Sequence, residues 1–193
     1  MRVLFQGDSV TSGHRSTSEN NLGSGWVFLI SEYYKAIGKN VEVINRGVGG
    51  NRSVNLVERW EEDALNLEFD LMTIMVGIND VWHYVSGHAE FVTNEIFEKN
   101  YRYLLKSVLD KGKFVVMFGS YICHIGEDKK ALRQDFDDKL NITRKLAKEF
   151  DLPFYDLDKI LNSGAYGYQK ELTLDSIHPS EYGNSVLKEI WVS

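Results

Sequence analysis

The segment Asp70-Leu71-Met72-Thr73-Ile74-Met75-Val76 reads as a β-strand that is apolar nearly throughout, and it runs directly into Gly77-Ile78-Asn79-Asp80. A half-buried strand alternates apolar and polar residues, so a strand without alternation has both faces covered. Outward from it, Arg2–Gln6, Val41–Asn45, Phe114–Phe118 and Pro153–Tyr155 read as further short strands. The intervening segments carry helical spacing. Trp26, Leu29, Ile30, Tyr33 and Ile37 mark a helix over Trp26–Ile37, and Ser53–Leu67 has Ser53 as its expected N-cap. Asn94–Lys111 stops at Gly112, Lys129–Phe150 is long, and Ser180–Trp191 closes the series, although Gly183 interrupts its pattern. Covered strands separated by helices predict an α/β fold, a three-layer α/β/α sandwich on a parallel sheet. In such sheets ligands bind beyond the carboxyl ends of the strands, so chemistry-bearing residues belong in the segments that follow them.

The chain of 193 residues has two prolines and no Pro/Ser-rich linker, which predicts one domain over residues 1–193. Its formal net charge of -6 argues against a nucleic-acid partner, which requires a basic face, and against docking on anionic membranes. A neutral small molecule or a carbohydrate suits it better. No apolar run approaches the about 20 residues that span a bilayer. The N-terminal run Met1-Arg2-Val3-Leu4-Phe5 is too short for an export signal, and the single cysteine, Cys123, can form no internal disulfide. Both predict a cytoplasmic protein. Cys123 itself reads as a small packing residue rather than a reactive thiol. The aromatic content permits subunit contacts and hence a homo-oligomer.

Four strand ends carry chemistry. The first strand leads into Gly7-Asp8-Ser9-Val10, where a glycine turns the chain off the strand and a serine follows at the start of the next turn. There a hydroxyl can face the crevice. The α/β-hydrolase elbow Gly-x-Ser-x-Gly is not matched, because Thr11 stands in place of the second glycine. The second strand ends in Arg46-Gly47-Val48-Gly49-Gly50-Asn51-Arg52-Ser53. This is no dinucleotide fingerprint, since Arg52 occupies the third glycine position, but its backbone N–H groups suit a small anion or an oxyanion. The third strand ends in Asn79, whose amide can donate to a tetrahedral oxyanion. Near the C-terminus, Asp175-Ser176-Ile177-His178-Pro179 places a carboxylate three residues before an imidazole. Such a carboxylate can hold the imidazole with its far nitrogen free to take a serine proton. Together these supply nucleophile, oxyanion donors, orienting carboxylate and base.

These segments, in this order, resemble the blocks of the SGNH (GDSL-like) hydrolase family across nearly the whole chain. The resemblance carries the four eponymous residues onto Ser9, Gly50, Asn79 and His178, with Asp175 as the third member of a catalytic triad. Gly50 rather than Gly49 is chosen because it precedes Asn51-Arg52-Ser53. Val10 departs from the leucine of the first block. The resemblance implies a flavodoxin-like sheet and an oxyanion hole formed by Ser9, Gly50 and Asn79. A narrower similarity, Arg59-Trp60-Glu61-Glu62-Asp63 with Ile74 to Trp82 and the Tyr121 region, is to bacterial carbohydrate and xylan acetylesterases. It implies a serine esterase acting on short acetyl esters of a small molecule or oligosaccharide, with no metal and no cofactor. Asp8, Trp82 and Tyr121 are candidate substrate contacts, and His83 and Tyr84 adjoin them. His14 reads as a solvated loop residue. His88 and His124 lack metal-ligand spacing. Two competing functions stay open at this point. One is a lysophospholipase or acyl thioesterase on the same fold, and the other is a catalytically inactive sugar- or nucleotide-binding module.

Overall fold

The computed structural model describes residues 1–123 and 130–193. Five strands form one sheet: β1 (Arg2–Gly7), β2 (Glu42–Asn45), β3 (Leu71–Met75), β4 (Phe114–Gly119) and β5 (Phe154–Asp156). All neighbours are parallel and the order is β2-β1-β3-β4-β5. This is the flavodoxin-like order, in which the crevice opens where the connections from adjacent strands leave in opposite directions, between β1 and β3. The register pairs Gly7 with Met75, so the ends of these two central strands stop side by side.

Alternating side chains of the covered strands feed two separate apolar layers. Val3 and Phe5 of β1 point into one layer with Trp26, Ile30, Phe118, Leu187 and Ile190. Leu4, with Met72 and Ile74 of β3, points into the other with Leu56, Trp60, Tyr101 and Leu105. The first layer is covered by α2 (Trp26–Ala36) and α9 (Glu181–Val192), the second by α3 (Ser53–Trp60) and α5 (Asn94–Leu109). The long helix α6 (Lys130–Glu149) serves both, with Phe136 and Leu140 in the first layer and Leu146 and Ala147 in the second. Thr73 is the polar interruption in β3; it is buried, and its hydroxyl accepts from the Trp191 indole N–H at 2.9 Å.

Several boundaries differ from the sequence reading. The helix expected over Ser53–Leu67 becomes a π turn at Glu61–Leu65. At that widened turn the Asp63 carbonyl accepts from the Gln6 side-chain amide at 2.5 Å, which ties the turn to the end of β1. Ser53 is the first helical residue, not the cap. Arg52 holds the extended capping position, and Ser53 turns its hydroxyl to another element. Gly183 does not break α9; a Cβ there would sit 1.9 Å from the Leu172 carbonyl oxygen, so glycine is what lets the helix approach. Short helices α1 (Ser9–Ser12), α4 (Ile78–Val85), α7 (Leu157–Asn162) and α8 (Gln169–Leu172) were not expected. They are too short to show helical periodicity in the sequence. The expected helix start at Lys129, and His124, lie outside the described residues. Among the described residues no helix is long and apolar enough to cross a membrane.

Candidate active site

The site begins where β1 ends. A Cβ on Gly7 would lie 2.3 Å from Thr11 Oγ1 and 2.4 Å from the Met75 carbonyl oxygen, so only glycine lets the chain turn there. Asp8 then caps α1, its Oδ1 accepting from the Val10 N–H at 3.0 Å. The buried Trp26 indole donates to the Val10 carbonyl at 2.9 Å. Trp26 itself is stacked on Phe118 and edge-on to Phe5, so the short helix is fastened to the core. Ser9 is its first residue, and Ser9 Oγ lies 2.9 Å from His178 Nε2.

The segment that presents His178 is a closed loop. Thr173 and Pro179 form an antiparallel bridge, and the Leu174 N–H donates to the His178 carbonyl at 2.8 Å. Inside it, Asp175 Oδ1 accepts from the backbone N–H groups of Ile177 (3.0 Å) and His178 (2.8 Å). That leaves Asp175 Oδ2 for His178 Nδ1, at 2.7 Å. Ser176 takes a left-handed conformation (φ 78°), and its carbonyl accepts from the Cys123 N–H at 2.8 Å. Burial pushes the Asp175 carboxyl upward, but the bonds from the His178 ring and from two backbone N–H groups outweigh it, and the net shift is below the ordinary value. A carboxylate at Nδ1 keeps the ring proton there, so Nε2 is free to accept from the serine hydroxyl.

The opposite wall comes from the ends of β2 and β3. A Cβ on Gly49 would stand 4.0 Å from Ser9 Cβ, so this loop passes beside the serine. Gly50 follows in a left-handed conformation (φ 77°), and a Cβ there would press on the His83 ring at 3.3 Å. Asn79 lies in the first turn of α4, and its Nδ2 donates to the Asn51 carbonyl at 3.2 Å. An amide carries two N–H donors, and this bond uses one of them. The glycine loop and the Asn79 turn are held together beneath the surface. Asp80 is fully buried; its carboxylate accepts from the Ser53 N–H at 2.9 and 3.1 Å and from the Ser53 hydroxyl at 2.5 Å. Burial raises the Asp80 carboxyl to about 6 against these bonds. Arg59 makes a second tie, donating to Asn51 Oδ1 at 2.7 Å and to the Gly7 carbonyl at 3.3 Å. The supporting roles of Asp80 and Arg59 are absent from the sequence reading. Only the spacing of Arg59 and Asp63, which form an i,i+4 ion pair at 2.7 Å, gave a signal.

Ser9, Asp175 and His178 are thus brought together, with Gly50 and Asn79 on the neighbouring wall. The candidate substrate contacts fare differently. Asp8 is 1% exposed and Tyr121 3% exposed, so both lie buried beside the site rather than on its open surface. With Ser120 and Ile177 they line a small chamber behind Ser9. Burial raises the Asp8 carboxyl to about 7, opposed by the Val10 N–H and the charge of His178. Burial likewise pushes the Tyr121 hydroxyl well above its ordinary value. Trp82 is half-buried against the first apolar layer. Cys123 is completely buried, and burial raises its thiol to about 12, which suppresses the thiolate. His14, expected in solvent, is exposed but lines an open cleft of about 300 Å³ together with Ser9, Leu174 and His178. Among the described residues no group of three or more His, Cys, Asp or Glu side chains is arranged to hold a metal ion.

A hydroxyl, an imidazole and a carboxylate in hydrogen-bonded sequence, beside a glycine loop and an amide, form a constellation suited to acyl transfer through a serine. Comparison with known proteins agrees. Residues 5–186 match the model of the GDSL-like lipase/acylhydrolase family. The acetylxylan esterase of Geobacillus stearothermophilus is 29% identical over 199 residues, covering 96% of this chain and 90% of that protein. The crystal structure of Axe2, an acetylxylan esterase from the same organism, superposes with a TM-score of 0.86 at 26% identity, covering 99% of this chain and 92% of that one. LAE5, an alpha/beta hydrolase from the metagenome of Lake Arreo, superposes with a TM-score of 0.87 at 24% identity, covering 99% and 93%, and speaks for the fold alone. With a family match that begins inside β1 and ends inside α9, the chain belongs to the GDSL-like lipase/acylhydrolase family and is a carboxylic ester hydrolase.

Proposed function

We propose that the protein is an acetylesterase that removes acetyl groups from carbohydrates such as xylo-oligosaccharides, with Ser9, His178 and Asp175 as its catalytic triad. The observation that carries the reading is the unbroken relay from Ser9 Oγ to His178 Nε2 (2.9 Å) and from His178 Nδ1 to Asp175 Oδ2 (2.7 Å). The acetyl and xylan preferences are supported by the relative described as an acetylxylan esterase and by a structural neighbour described as an acetyl-xylooligosaccharide esterase.

In this reading Ser9 Oγ attacks the ester carbonyl carbon as its proton passes to His178 Nε2. Asp175 holds the ring and stabilises the imidazolium. The charge that develops on the carbonyl oxygen is held by the backbone N–H groups of Ser9 and Gly50 and by the Asn79 amide. The imidazolium then protonates the departing sugar oxygen, leaving an acetyl-serine. Water, deprotonated by His178, attacks this intermediate and releases acetate.

The test is hydrolysis of 4-nitrophenyl acetate, butyrate and octanoate, followed by acetylated xylo-oligosaccharides, with Ser9→Ala alongside. Acetate turnover that falls with chain length and drops by about 10⁴-fold or more in the variant is the expected result. Preference for octanoate would replace the acetyl reading by a lipid or thioester substrate. Full activity in Ser9→Ala would remove the triad.

A further inference from the structure

The open cleft beside Ser9 has a side. Its lining comes from α1, the following loop (Gly13, His14, Ser24), the triad loop and the start of α9. Among the described residues that line it, none is Gly49, Gly50 or Asn79. The cleft therefore extends from the serine toward His178, on the side away from Gly50 and Asn79. In a serine esterase the group leaving the tetrahedral intermediate must depart next to the base that protonates it, so the room beside His178 is room for the alcohol. Its volume, about 300 Å³, lies at the lower end of the ~300–1,000 Å³ typical of small-molecule sites.

Two of its walls are the exposed side chains of Leu174 and His14. Leu174 is 78% exposed, although its backbone is fixed by the bond to the His178 carbonyl and it immediately precedes Asp175. Because Leu174 lines the cleft beside Ser9 and His178, its exposed side chain offers an apolar face to whatever occupies that cleft. His14 is held in a left-handed conformation (φ 64°), and its ring nitrogens bond to no described residue. The two therefore bring an apolar face and a hydrogen-bonding ring to one cleft. A pyranose ring has the matching chemistry, with C–H groups on its faces and hydroxyls around its rim.

We infer that Leu174 and His14 form a leaving-group subsite that takes the sugar ring carrying the ester, Leu174 against its C–H face and His14 at its hydroxyls. This rests on the acetylesterase reading and deepens it. It makes the cleft, rather than the triad, the place where sugar esters are told from simple esters.

The test compares the parent with Leu174→Ser and His14→Gly, glycine being suited to the left-handed backbone. The probes are an acetylated xylo-oligosaccharide and ethyl acetate, whose alcohol is too small to reach either residue. Each variant is expected to raise KM for the oligosaccharide by about tenfold, with kcat little changed and ethyl acetate hydrolysis kept within about twofold. Equal loss on both esters would show that the residues act on the triad loop and would overturn the subsite. So would unchanged kinetics on both. Loss of Ser9-dependent turnover of every ester in the parent would instead defeat the underlying esterase reading, an outcome distinct from either.

Discussion

At the scale of single residues, the chemistry rests on how the partners of each reacting group orient it. Asp175 gives one oxygen to two backbone N–H groups and the other to His178, so its carboxylate has one orientation available. Asn79 is different, since one amide hydrogen already holds the Asn51 carbonyl. If the other serves the oxyanion, Asn79→Ala lowers kcat by about 10²–10³ with KM little changed, as steady-state kinetics on 4-nitrophenyl acetate would register. A near-parental kcat would exclude it from that role. Ser9, Asn79, Asp175 and His178 were legible in the sequence because each follows a strand or sits in a turn with a recognisable spacing. The burial of Asp8 and Tyr121 was not. Solvent access to a residue next to a nucleophile depends on which segments pack around it, and here Ser120 and Ile177 line the same chamber as Asp8 and Tyr121.

At the scale of elements, the triad loop is clasped at its base. Leu172 of α8 accepts from the Ser180 N–H at 3.0 Å, and α9 runs so close that a Cβ on Gly183 would collide with that same carbonyl at 1.9 Å. The obstacle is backbone, so it cannot rotate away. Gly183→Ala is therefore expected to destabilise the protein by about 1–3 kcal/mol in urea unfolding and to reduce esterase activity as the loop loosens. Unchanged stability would mean that α9 shifts freely against α8. The sequence showed the helix but made Gly183 look like its weakness. The glycine meets a chain segment 11 residues away, and helical periodicity does not record such contacts. The same holds for Ser53, read as a cap from its local sequence. Asp80, 27 residues distant, takes its hydroxyl instead.

At the scale of the whole molecule, two apolar layers enclose a sheet whose central strands end in the site, and buried carboxyls lie directly beneath it. Asp8 couples the stability of the fold to pH. Its folded-state value, about 7, exceeds its ordinary 3.8, so the folded protein holds this proton more tightly than the unfolded chain does. The associated stability is fully present below about 3.8 and is lost as pH rises through about 7. Asn caps a helix as Asp does but stays neutral, so the advantage of Asp8→Asn over the parent in urea unfolding should grow between pH 5 and pH 8. A difference that stays constant with pH would show that Asp8 is ionised in both states.

The sequence by itself determined the layered α/β architecture, because strands without alternation must be covered on both faces. It also marked out the candidate site residues, because turns after strands and the Asp175-to-His178 spacing are local features. Tertiary structure alone decided which neighbours of Ser9 face solvent and which are sealed behind it. It also decided how Asp80 and Arg59 brace the glycine loop, and on which side of the serine the cleft opens. These depend on contacts between segments far apart in the chain, whose distances are set only when the two apolar layers pack.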